Sequence, residues 1–202
     1  MNNTTQTQRT VGVAIFAAII ITLQIFATAV NFVTPGTIPI ALVLPPIVIG
    51  AAMYGVKAGA LLGFCFGAVV LGSGITGTAP TSAMMWSVNP LIMTVGTLGR
   101  GVAAGFTAGM MYKIFSKRNA YLGVLAAAIA TPVVNTGIFV IVLFLFLEIL
   151  VAEGSGRTLM QYAASIMIAF NFMLEVIVNV VLGPTIARMI GIAKMTRAQS
   201  VS

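Results

Sequence analysis

Six apolar runs constrain this chain more than any other feature: Val11–Val30, Pro39–Tyr54, Ala58–Ile75, Pro90–Tyr112, Ala120–Leu147 and Leu159–Ala187. A helix needs about 20 apolar residues to cross a hydrocarbon core, and in lipid its backbone groups must be satisfied within the segment. Only 6% of the residues are charged, where a soluble domain carries roughly a quarter. The expectation is an all-α integral membrane protein, a six-transmembrane-helix bundle in the cell membrane. One membrane domain over residues 11–190 is expected, between a tail at 1–10 and a tail at 191–202. The second run is short and holds Pro45 and Pro46, which predicts a kinked or partly unwound helix. The first run carries "ATA" at Ala27–Ala29, but its apolar core exceeds the roughly 7 to 15 residues of a signal peptide, so an uncleaved helix is expected.

Orientation follows from the basic residues. With six spans, one side holds Arg9, Lys57, Lys113, Lys117, Arg118, Arg188, Lys194 and Arg197, and the other holds Arg157 alone. Basic loops stay inside, so both termini are expected in the cytoplasm. The outer connections are then Asn31–Ile38, Thr76–Asn89 and Glu148–Thr158, rich in Gly, Pro, Ser and Thr. Longer loops on one side favour a ligand entrance there.

Several chemistries are excluded by what the chain lacks. It has no histidine and no aspartate, and its acids are Glu148, Glu153 and Glu175, so no metal cage is expected. Cys65 stands alone in an apolar run as a small hydrophobe. An intramembrane enzyme would be left with Ser-Lys or glutamate chemistry, without paired acids. No cofactor is expected. A net charge of +7 is scattered between apolar runs rather than gathered into a stripe, which argues against nucleic acid. A channel or self-sufficient carrier would want a ring of like charges or an inverted repeat, and neither is readable.

Two runs carry doubled G-x-x-x-G spacings: Gly59, Gly63 and Gly67 in the third, Gly101, Gly105 and Gly109 in the fourth. Each puts bare backbone on one helix face, where a neighbour packs closely. The first run carries Ala14 and Ala18 four apart, with Ala17 alongside.

Arg100 lies 13 residues before Lys113, and Glu175 lies 13 before Arg188. At 1.5 Å per residue both sit about 20 Å from the basic side, at one depth. A charge there is costly, so it faces the bundle interior and finds a partner. Two readings stand: Arg100 and Glu175 clasp two helices, or Arg100 receives an anionic ligand, with Glu175 steadying one edge of its fork. Other polar groups recur nearby. Asn171, Glu175 and Asn179 make one stripe, Thr131 and Asn135 another, and Thr97 precedes Arg100 by three.

With these residues in view, the chain resembles the S components of energy-coupling factor (ECF) transporters, the substrate-binding subunits of ABC-type vitamin importers. The carriers are Ala14 and Ala18, the block "VIGAAMYGVKAGALLGFCFG" from Val48 to Gly67, and "NPLIMTVGTLGRGVAAGFTAGMMYK" from Asn89 to Lys113. The last two are similar to the pantothenate-type branch, although Gly99 stands where that branch carries proline. The resemblance implies a ligand site near the outer face and docking through the small face of helix one (Ala14, Ala17, Ala18) onto a membrane coupling protein driven by two ATPases. The chain has no G-x-x-x-x-G-K-[ST] loop, so ATP chemistry is expected in those partners. Pantothenate has a carboxylate, an amide and two hydroxyls, which suit Arg100 together with Thr97, Asn135, Asn171, Glu175 and Asn179. Trp86 is the expected apolar wall for its dimethyl carbon. Pyridoxine, riboflavin, folate and pyrimidine precursors remain alternatives, as does a structural membrane subunit.

Overall fold

The computed structural model describes residues 3–33, 43–152, 172–185 and 187–188. It contains helices α1 (Asn3–Val33), α2 (Leu44–Tyr54), α3 (Val56–Ile75), α4 (Pro80–Val88), α5 (Pro90–Phe115), α6 (Ala120–Ala152) and α7 (Phe172–Thr185). The described residues form helices and short turns, with no strand among them. Four segments have the length and apolarity of a membrane crossing: Gln6–Val30, Val56–Ile75, Pro90–Phe115 and Ala120–Phe146. The expected second and sixth spans are seen as the shorter helices α2 and α7; residues 39–42 and 159–171 of those spans lie outside the described residues.

The prolines of the second run do not kink it. Pro45 and Pro46 fall in the first turn of α2, where the backbone N–H has no helical acceptor and the fixed φ suits the helix start. The chain instead breaks at Gly55, whose φ of 91° lies in the region open to glycine. A hairpin-like reversal results between α2 and α3.

A second difference concerns the expected outer connection Thr76–Asn89. It is mostly the helix α4, begun at Pro80 and reached through Gly77 at φ 76°. Asn89 then ends α4 and starts α5: its Oδ1 accepts 3.1 Å hydrogen bonds from the Leu91 and Ile92 amides, and Pro90 opens the new helix. The Asn-Pro pair is therefore a capping device that fixes where α5 begins. Helix α1 starts at Asn3, within the segment expected as a tail, and Arg9 Nη2 donates a 2.8 Å bond to the Tyr54 carbonyl at the end of α2.

The glycine stripes meet each other. A Cβ on Gly63 would strike the Gly101 carbonyl oxygen, one on Gly101 would strike that of Gly63, and Gly59 and Gly105 are related in the same way. Gly67 continues the seam, with its notional Cβ 2.8 Å from the Thr97 carbonyl oxygen. Helices α3 and α5 thus run antiparallel with backbone against backbone, and theirs is the most extensive helix contact among the described residues. Around this pair, α2 and α1 pack on one side through Ile20, Leu44, Ile47, Leu62 and Phe66. Helices α4 and α6 pack on the other through Met85, Met93, Val142 and Phe146.

Candidate functional site

Arg100 projects from α5 into a chamber walled by four helices. Val70 of α3, Ser82 and Met85 of α4, Met93, Gly96 and Thr97 of α5, and Phe139 and Val142 of α6 line it with the arginine. The seam sets this position. Thr97 and Gly101 both lie on it, so Arg100 is held next to the line where α3 and α5 touch, and α6 closes over it.

Two phenyl rings hold the guanidinium. Its Cζ lies 4.8 Å from the centroid of Phe139 on α6 and 5.6 Å from that of Phe66 on α3. The negative faces of aromatic rings stabilise a cation out of water, more so where desolvation is deep. They offer no lone pairs, however, and Arg100 Nε is buried without a hydrogen-bond acceptor. The arrangement holds a planar cation in place while leaving donor capacity unused.

Glu175 is also buried, 4% exposed, on α7. Its Oε2 accepts a 3.0 Å hydrogen bond from Thr136 Oγ1 on α6. Asn179, one turn further along, is fully buried and donates from Nδ2 to the Glu175 carbonyl at 2.7 Å. Asn135 and Thr131 are buried on α6, where the Thr131 hydroxyl bonds back to the Ala127 carbonyl at 2.6 Å. Thr97 is buried and its hydroxyl donates to Met93 Sδ at 3.3 Å. The structure therefore brings Arg100 and Thr97 together in the chamber, and gathers Asn135, Glu175 and Asn179 in the interior of α6 and α7. Asn171 lies outside the described residues. Trp86 is half-buried in the apolar cluster next to the chamber, and Met85 is its neighbour on the wall itself.

Sequence reasoning missed Phe66 and Phe139. The available signal was position: Phe66 falls three residues after Gly63 beside the stripe, and Phe139 falls one turn after Asn135. A buried arginine with no acid on its own helix is a reason to look for rings on its neighbours. The chamber is nearly filled. Its free volume is about 10 Å³, the room of one water molecule, so admission of a larger molecule requires its walls to part.

On α1, Ala14 and Ala18 are exposed, whereas Ala17 is half-buried against the cluster of Ile20, Val43 and Leu44. The two faces of this helix are thus distinct: one packs on the bundle and the other is uncovered.

A helical membrane bundle with a cation, Arg100, set in an aromatic chamber defines a multi-pass membrane protein with an internal polar site. The family model described as "ECF transporter, substrate-specific component" matches residues 8–187, and the chain belongs to that family. It is 29% identical over 177 residues to the pantothenic acid transporter PanT of Lactococcus lactis subsp. cremoris, an alignment covering 84% of this chain and 86% of the relative. No solved structure matches the chain. The family is one of transporter substrate-specific components rather than enzymes, and it places the protein in the membrane as part of an ECF transporter.

Proposed function

We propose that the protein captures pantothenate for uptake and that Arg100 receives the pantothenate carboxylate. The observation that carries this reading is the guanidinium set between Phe66 and Phe139 with Nε buried and unpartnered. A carboxylate supplies what the rings lack, two oxygens that accept in the plane of the fork. Thr97 on the same wall offers a neutral hydroxyl. The similarity to a pantothenic acid transporter supports the same ligand.

In this reading the protein binds and a partner supplies energy. The uncovered face of α1 at Ala14 and Ala18 docks on a membrane coupling protein joined to two ATP-binding subunits, because small residues let a second helix approach closely.

Calorimetric titration of the purified protein with pantothenate, pyridoxine, riboflavin, folate and a pyrimidine precursor tests the reading. Pantothenate is expected to bind and the others not. Binding of another vitamin with none of pantothenate would overturn the assignment.

A further inference from the structure

Among the described residues, two buried side-chain oxygens have no donor. Asn179 Oδ1 is buried and unpartnered, while the same amide's Nδ2 donates to the Glu175 carbonyl at 2.7 Å. That bond fixes the sense of the amide, since exchanging its O and N would set two acceptors face to face. The unpaired atom is therefore an acceptor. Asn135, 4% exposed, likewise has its Oδ1 buried and unpartnered. Buried polar atoms are nearly always satisfied, so two such acceptors call for an occupant.

Their position relates them to the chamber. Asn135 lies one turn from Phe139 and two from Val142 on the buried stripe of α6, toward its Ala120 end, and both of those residues are chamber walls. The next residue, Thr136, donates to Glu175, which ties α7 to α6 at this level and brings Asn179 with it. The acceptors thus lie one helical turn from a chamber wall on α6 and one turn from Glu175 on α7.

The chemistry of the layer selects among occupants. Amide oxygens suit a metal cation, but among the described residues the interior already holds one cation, Arg100, and one buried acid, Glu175. A further cation would add an unbalanced charge where screening is weak. A neutral O–H donor has no such cost.

We propose that Asn179 and Asn135 form an acceptor subsite for ligand hydroxyls, so that the protein selects a hydroxylated carboxylate over its deoxy counterpart. This rests on the reading of Arg100 as the carboxylate anchor. The ligand then spans the site with its acid end at the rings and its hydroxyl end between α6 and α7.

The test is calorimetric titration of the full-length protein with pantothenate and with N-(3,3-dimethylbutanoyl)-β-alanine, which keeps the carboxylate, amide and branched carbon and lacks both hydroxyls. Wild-type protein is expected to prefer pantothenate by about tenfold or more, the scale set by one or two lost hydrogen bonds. Asn179→Leu is expected to weaken pantothenate until the two compounds bind alike, with affinity for the deoxy compound unchanged. Equal affinities in the wild type overturn the subsite without any variant being needed, and so does a preference that survives in folded Asn179→Leu and Asn135→Leu proteins. If both compounds bind alike and Arg100→Ala abolishes both, the anchor stands and the subsite falls, its oxygens being satisfied by water. If neither compound binds the wild type, the pantothenate reading falls and the subsite with it.

Discussion

The Cζ atom of Arg100 lies 4.8 Å from the centre of the Phe139 ring, a contact that joins α5 to α6 across the chamber. It gives a half-buried cation a partner that does not consume its hydrogen bonds. Replacing Phe139 with leucine keeps an apolar side chain of similar bulk and removes the ring face. A desolvated cation–π contact contributes about 1 to 2 kcal/mol, so pantothenate affinity is expected to fall roughly five- to thirtyfold. Titration of Phe139→Leu checks this, and an unchanged affinity would separate the ring from ligand binding.

The α3–α5 seam has a sharp dependence on position. At Gly63 an added methyl meets the Gly101 carbonyl, whereas at Gly99 it meets nothing within 4 Å. Gly63→Ala is expected to force the helices apart at a cost of about 1 to 3 kcal/mol, and Gly99→Ala to be neutral or slightly stabilising through helix propensity. Thermal unfolding in detergent should therefore separate the two variants by several degrees. Equal melting temperatures would mean that the seam is not close-packed.

Much of this architecture is legible in the sequence, and the exceptions share a cause. The apolar runs mark the helices, and the spacing of Gly59, Gly63 and Gly67 against Gly101, Gly105 and Gly109 marks the two that touch. Arg100 is legible as an interior group because its charge is costly in lipid. Phe66 and Phe139 are not, since a phenylalanine in an apolar helix reads alike whether it faces lipid or the bundle. Helix α4 is hidden for a related reason: nine residues rich in Met, Ser and Thr carry too little periodicity to distinguish a short helix from a loop. The role of Pro45 and Pro46 turns on where α2 begins, and apolar residues on both sides of that point conceal it.

Eight basic residues against one predict Ser116 on the cytoplasmic side and Gly156 outside. In a Cys65→Ala background, a membrane-impermeant thiol reagent applied to intact cells is expected to label Gly156→Cys and to leave Ser116→Cys unmodified. The reverse pattern would invert the topology.

Ala14 and Ala18 are exposed on α1, away from the face that carries Ile20. Tryptophan at either position is expected to abolish association with the coupling protein, and hence uptake, while leaving pantothenate binding to the isolated subunit unchanged. Co-purification and titration of the same variants read the two effects separately. Loss of binding together with association would assign the face to internal packing.

The reading of Arg100 as an anion anchor rather than a clasp to Glu175 is tested most directly by comparing pantothenate affinity in Arg100→Leu, Glu175→Leu and the double variant. Removing one member of a buried charge pair costs about 3 to 5 kcal/mol, so the arginine variant is expected to lose a hundredfold or more in affinity. The double variant, in which no buried charge is left uncompensated, is expected to fold and still fail to bind. A double variant that folds and binds pantothenate as tightly as the wild type would contradict the account.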